Sequence, residues 1–136
     1  ATWADEIDAG EGIMFAPVRE RFLSGKSAAG FEYVQCLQEL ERQRAAWMED
    51  TSGYDAVILP SSLILPPKIE QLAADHDFFA AENLMALRNT RMANLLGLAS
   101  LTVPTGVPST GLMFFGPPMS EHRLLRLGAA TEKALA

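Results

Sequence analysis

Cysteine is nearly missing from this sequence: Cys36 is the single one in 136 residues. One thiol forms neither an internal disulfide nor a cysteine-based zinc site, so nothing marks an oxidising compartment and a cytoplasmic setting is expected. Long apolar runs are also lacking. No stretch approaches the roughly 20 apolar residues that cross a bilayer. The opening residues are acidic where a secretion signal needs a basic start and an apolar middle, so no membrane partner is expected. Excess positive charge is the third absence. The formal charge is −6, from 11 Lys+Arg and 17 Asp+Glu, and no basic stripe with interleaved aromatics occurs, so nucleic acid has no electrostatic foothold. The acidity is local. Asp5, Glu6, Asp8 and Glu11 all precede the first base, Arg19, and with those four set aside 13 acids face 11 bases.

What is present is material for a core. Hydrophobic residues make up 49% of the chain, and a chain of this size buries roughly two-thirds of its unfolded surface without disulfides or a structural metal. One domain-sized body is expected rather than two. Residues 1–30 read as an acidic arm in which only Val18 to Leu23 looks helical. From Phe31 the pattern changes to an α/β region over residues 31–136. Phe31, Val34, Leu37, Leu40 and Trp47 recur at helical spacing, with Glu32, Gln38, Glu39, Glu41, Arg42 and Glu49 on the other side. This spacing predicts an amphipathic helix to about Met48. Ala56 to Leu59 form a short apolar run between Gly53 and Pro60, the pattern of a strand buried on both faces in a parallel sheet. Pro60, Pro66 and Pro67 then predict an ordered loop to Lys68.

A second helix is expected from Phe79 to Leu96, with Leu84, Leu87, Leu95 and Leu96 inward and Gly97 as a left-handed cap. A strand follows at Ser100 to Val103, stopped by Pro104. A turn over Thr105 to Gly111 leads to a strand at Leu112 to Gly116. Ser120 is a good N-cap for a final helix from about Glu121, with Leu124, Leu125, Leu127 and Leu135 marking its apolar side. The strand-helix-strand step gives the expected class: α/β, a partial mixed sheet covered by helices.

Short motifs offer little chemistry. Gly25, Lys26 and Ser27 imitate the end of a phosphate-binding loop, but Glu20 stands where its first glycine belongs. Asp75, His76 and Asp77 are metal-ligating types, yet consecutive side chains diverge on a helix or a strand. They read as a solvated polar turn. His122, the other histidine, lies in the first turn of the last helix, and no metal or other cofactor is expected. Cys36, mid-helix, reads as a small, partly buried hydrophobe. Ser61, Ser62 and Lys68 in the loop after the first strand are the tempting trio. A serine nucleophile needs a base and a pair of oxyanion donors, and no glycine-rich backbone surrounds these two serines.

The long-range pattern is more specific. Tyr54-Asp55-Ala56-Val57-Ile58-Leu59-Pro60-Ser61 is followed, after the Pro-rich loop, by Asn94-Leu95-Leu96-Gly97-Leu98-Ala99-Ser100-Leu101-Thr102-Val103-Pro104-Thr105-Gly106. Together these resemble the C-terminal third of amidase signature hydrolases, with their aspartate-led strand ending in Pro-Thr and later Asn-Leu-Thr-Gly-Leu-Pro-Ala run. Gly111-Leu112-Met113-Phe114-Phe115-Gly116-Pro117 resembles the family's Gly-Leu-Gln strand, and Glu121, Leu124 and Leu125 the opening of its last helix. Arg21, Gly25, Ala28, Tyr33 and Arg44 fit the segment before. Ser61 stands where threonine is usual, Leu96 replaces the threonine of the run and Ala99 its proline. The turn before Gly111 lacks the usual Leu-Pro-Xaa-Gly approach.

The resemblance implies hydrolysis of an amide by a serine nucleophile, a second serine on a cis peptide and a lysine base. In the family these serines lie in a Gly/Ser-rich signature far upstream of the matched region, and this chain contains no such signature. Ser61, Ser62 and Lys68 are therefore not that triad. No catalytic residue is assigned, and Ser61, Ser62 and Leu63 are expected to line the substrate pocket. Losing a nucleophile and base that act as a unit costs on the order of a million-fold in turnover, so the chain alone is expected to be inert. The expected function is the scaffold and pocket-wall portion of a hydrolase of small carboxamides, with an N-terminal catalytic partner or self-association. The alternatives are a stand-alone binding or interaction module that lost the chemistry, and a small hydrolase using the Ser61 loop.

Overall fold

The computed structural model describes residues 2–10 and 12–135; Ala1, Ala136 and Glu11, one of the four N-terminal acids, lie outside the described residues. The chain forms two compact units, Ala1–Gln38 and Glu39–Ala136, divided inside one long helix. In the first unit, α1 (Ala4–Ala9) and α2 (Ala16–Ser24) precede a 3₁₀ turn, Gly25–Ser27, and the start of α3 (Gly30–Asp50). Pro17 sits in the first turn of α2, where its missing N–H costs nothing. The α3 helix runs as its periodicity predicts, but the apolar stripe is not covered throughout: Phe31, Val34 and Leu37 are exposed. Cys36, in the same half of the helix, is exposed as well, against the expectation of partial burial. Spacing determined the helix; it did not determine what would lie against it.

The second unit holds the sheet. β1 (Val57–Pro60), β2 (Ala99–Pro104) and β3 (Gly111–Gly116) are ordered β1-β3-β2, and both pairings are antiparallel. β1 and β2 run in the same direction, as a strand-helix-strand step requires, but β3 lies between them. The architecture is mixed α/β as expected. Burial of β1 on both faces is not found: it is an edge strand, and Ile58 is 56% exposed. The apolar run gave no sign that the third strand would insert between the first two.

Between β1 and β2 the expected helix is three helices: α4 (Ile69–Ala74), α5 (His76–Ala86) and α6 (Arg88–Leu96). Asp75 is the reason for the earlier start, its carboxylate accepting from the Phe78 N–H at 2.9 Å as an N-cap. His76 and Asp77 therefore open a helix and do not form a polar turn. The break at Leu87 shifts the helical phase, so that Asn89 and Ala93 are buried while Leu84, Leu87 and Leu95 are exposed. Gly97 ends α6 in the left-handed region, φ 70°, and the Leu98 N–H reaches back to the Ala93 carbonyl at 3.0 Å. Arg44 of α3 donates to another free carbonyl of that helix end, Leu95, at 2.8 and 3.1 Å.

The two faces of the sheet are covered at opposite ends. On one face Leu124 of α7 (Glu121–Leu135) packs with Ala99, Val103 and Phe114, so this helix lies over β2 and β3. On the other, Trp47 of α3 and Ala93 of α6 pack with Val57, Leu59, Met113 and Phe115, over β1 and β3. Alternation along the strands leaves Ile58 uncovered on the first face and Ser100 and Thr102 uncovered on the second. Ser120 precedes α7 as expected, but its hydroxyl donates to the Pro117 carbonyl at 2.6 Å, while its own carbonyl accepts from Arg123 and Leu124. Among the described residues no helix is long and apolar enough to cross a membrane.

Candidate functional site

Pro60 and Pro104 end β1 and β2 beside Gly111, which begins β3, so hydroxyl side chains near these residues gather at one end of the sheet. The Ser61 N–H donates to the Gly111 carbonyl at 2.9 Å, prolonging the ladder by one residue. Its hydroxyl donates to Thr102 Oγ1 at 3.2 Å, across β3. That contact requires glycine at 111. A Cβ there would lie 2.6 Å from Ser61 Oγ and 3.0 Å from Thr102 Cγ2, closer than either tolerates. In the hairpin between β2 and β3 the Thr105 and Thr110 hydroxyls form a second pair, and Thr110 also donates to the Val107 carbonyl at 2.9 Å.

Ser62 is held locally, its hydroxyl bonding the Ile64 carbonyl at 3.1 Å and accepting from the Ile64 N–H at 3.3 Å. Leu63 between them is exposed. Lys68 directly precedes α4, and its backbone carbonyl accepts from Gln71 and Leu72. Among the described residues neither serine hydroxyl bonds to Lys68; their partners are another hydroxyl and a backbone segment. A hydroxyl in such company is oriented but not deprotonated, since activation needs a base within hydrogen-bond reach. The arrangement presents hydroxyl donors and acceptors on a rigid end of the sheet.

Sequence reasoning missed the residue that fixes this loop. Asn89, 6% exposed, donates from Nδ2 to the Pro60 carbonyl at 2.7 Å, tying α6 to the point where β1 becomes loop. Its spacing from Ala93 on one helix face was the available signal, hidden by the expectation of one unbroken helix through Leu87. Replacing Asn89 with alanine leaves that carbonyl without its buried donor and is expected to cost about 1–2 kcal/mol of stability in denaturant unfolding. Chemical-shift changes at Ser61 and Ser62 are expected with it. Unchanged shifts there would show that the loop is held by other contacts. α6 also carries Arg91, whose Nη2 is buried and finds no acceptor among the described residues. Elsewhere, Glu39 on α3 has its carboxyl held below the ordinary value by the Gln43 amide first and then by Arg42.

The first unit has its own concavity, about 490 Å³, lined by Trp3, Ile7, Ile13, Met14 and Phe22 together with Glu6 and Gly10. It is almost wholly apolar and presents no nucleophile.

Comparison with known proteins places these features in context. The chain is 29% identical over 119 residues to 2-amino-5-chloromuconic acid deaminase of Comamonas testosteroni, covering 85% of this chain and 26% of that protein. It is 27% identical over 124 residues to a glutamyl-tRNA(Gln) amidotransferase subunit of Halobacterium salinarum, covering 85% and 28%. It is 32% identical over 114 residues to fatty acid amide hydrolase of Medicago truncatula, covering 79% and 18%. The chain thus spans about a quarter of the length of the first two relatives. No solved structure matches it significantly. The model of the amidase family matches residues 19–125, through both sheet pairings and into α7. On that match, the chain belongs to the amidase family.

Proposed function

We propose that this chain is the C-terminal scaffold and pocket wall of an enzyme that hydrolyses a carboxamide C–N bond, with the serine nucleophile, second serine and lysine base supplied by residues upstream of it. The observation that carries the reading is the pairing of the loop hydroxyls. Ser61 is committed to Thr102 and Ser62 to the backbone of Ile64, in a chain that contains no Gly/Ser-rich signature. Ser61, Ser62 and Leu63 then border the acyl side of the pocket, where a fixed hydroxyl orients a substrate without attacking it. Two further observations support a larger assembly: the chain matches about a quarter of its relatives' length, and the Arg91 Nη2 lacks an acceptor within the described residues. The relatives' names span an aminochloromuconate, a glutamyl-tRNA and a fatty acid amide, so the reading extends to the amide bond and not to one substrate.

The test is amide hydrolysis by the purified chain, alone and with the upstream portion of the enzyme supplied as a separate polypeptide. The expected result is no turnover alone, turnover in the mixture, and no labelling of Ser61 or Ser62 by a fluorophosphonate. Turnover by the chain alone that is lost in Ser61→Ala or Ser62→Ala would overturn the proposal and favour a small hydrolase built on the loop.

A further inference from the structure

The side-chain hydrogen bonds that join distant parts of the second unit lie on one path. Arg44 of α3 bonds the Leu95 carbonyl of α6, Asn89 of α6 bonds the Pro60 carbonyl at the end of β1, and Ser61, the next residue, bonds Thr102 of β2. The first two meet on α6, where Asn89 is the second residue and Leu95 the last but one. They lie about 9 Å apart along the helix axis. The helix is thus pinned near each end to a different element, and the loop of Ser61, Ser62 and Leu63 starts at one of the pins.

Arg44 holds a single geometry. Its Nε and Nη2 both donate to the Leu95 carbonyl, at 3.1 and 2.8 Å, and its Nη1 donates to Glu41 Oε1 one turn back on α3. All three guanidinium nitrogens have an acceptor, so the planar group cannot turn without losing a bond. Its charge also meets the negative end of the α6 dipole. Between the pins the contact is slight. Ala93 belongs to the same core cluster as Trp47 of α3, but a methyl group offers little to resist a slide or a roll of the helix. Packing holds α6 against the sheet, and the Arg44 fork fixes its height and rotation. A helix of nine residues moves as one piece, so a displacement at Leu95 reaches Asn89 and, through the 2.7 Å bond, Pro60.

We propose that Arg44 is a positioning residue for the substrate wall. Through α6 and Asn89 it sets where Ser61, Ser62 and Leu63 stand, and so how tightly an amide substrate is held, without touching that substrate. The role at the wall rests on the reading of this loop as the border of the pocket; the link from Arg44 to Asn89 does not. A residue that only satisfied the Leu95 carbonyl would lower stability on removal and leave the loop where it is.

The test compares three variants. Arg44→Met keeps the apolar stem and removes every donor, Arg44→Lys keeps the charge but not the fork, and Leu127→Ala on α7 is a partly buried core site away from the path. In the chain alone, NMR follows the Asn89 side-chain amide and the Ser61 and Ser62 backbone amides. Arg44→Met shifts all three, and exchange of the Asn89 Nδ2 protons quickens about 10-fold. Arg44→Lys shifts them less and in the same direction, while Leu127→Ala lowers the denaturation midpoint and leaves them in place. In the mixture with the upstream portion, Arg44→Met raises KM about 5-fold or more and keeps kcat within about 2-fold, because a wall that binds substrate and transition state alike acts on KM. Unmoved signals in folded Arg44→Met would overturn the proposal, as would equal shifts from Leu127→Ala. Should Arg44→Met not fold, signals in Arg44→Lys identical to the parent's would overturn it. A fall in kcat with KM unchanged would overturn the role at the wall. No turnover in the mixture with the parent chain would overturn the amidase reading, while the Asn89 and Ser61 shifts would still decide the link.

Discussion

Phe115→Ala is expected to lower the unfolding free energy by about 3–5 kcal/mol, the cost of emptying a large aromatic site in a packed core. Phe115 is 1% exposed near the end of β3, which among the described strands is the central one and has helices over both faces. It pairs with Val57 on one side and Ser100 on the other, and the ring of Trp47 meets it edge-on, with centroids 6.2 Å apart and planes at 61°. Such edge contacts add about 0.5–1.5 kcal/mol beyond the area they bury. The side chain therefore joins α3 to the sheet as well as filling space. Domains of this size have only about 5–15 kcal/mol in hand, so the variant should unfold at much lower denaturant. Ile58→Ala, at a site more than half exposed, is the internal control and should cost well under half as much. Equal losses from the two would mean that β3 is not the centre of the core.

Gly128→Val is expected to destabilise by about 1–3 kcal/mol although glycine is a poor helix former, because overpacking outweighs the roughly 1 kcal/mol of helix propensity recovered. Gly128 is buried in the middle of α7, where a Cβ would overlap Leu101 Cδ2 and lie 3.3 Å from Val103 Cγ1. The helix approaches β2 closely because this position has no side chain. Leucine can swing its terminal methyl aside, whereas Val103 Cγ1 is fixed close to the strand, so the β-branched substitution is the one that must move the helix. Removing the obstacle tests the explanation. In a Val103→Ala background the penalty for Gly128→Val should shrink by more than the scatter expected for independent sites, about 0.5 kcal/mol. Strict additivity of the two changes would place the cause elsewhere.

Where the local code and the fold agree, the sequence was readable. Gly97 after a helical run and before Leu98 specifies a left-handed end, and the structure has it at φ 70°. The strands around Ser100 and Leu112 end on Pro104, Gly111 and Gly116, the prolines and glycines that mark their limits in the sequence. Long-range pairing was not readable in the same way. An apolar run such as Ala56 to Leu59 has the same pattern whether its neighbour is parallel or antiparallel, so insertion of β3 between β1 and β2 left no local mark. Asp75 and Leu87 show a second limit. A single capping side chain and a single non-helical junction rephased an expected helix, exchanging exposed leucines for the buried Asn89 and Ala93. The candidate site followed this division. Ser61, Ser62 and Leu63 were singled out from the loop they occupy, while Thr102 and Gly111 come beside it through pairings across the sheet and Asn89 through a bond from α6.

The order β1-β3-β2 also bears on the birth of the chain. Among the described residues β1 and β2 have no hydrogen bonds with each other, and the strand that pairs with both is made after them. During synthesis β1 must wait, unpaired, through three helices and β2 until Gly111–Gly116 has cleared the ribosome, and only then does either core cluster acquire its central residues. Translation stopped before Gly111 therefore leaves β1 and β2 without the strand that joins them, dependent on chaperones for as long as these apolar strands lie open.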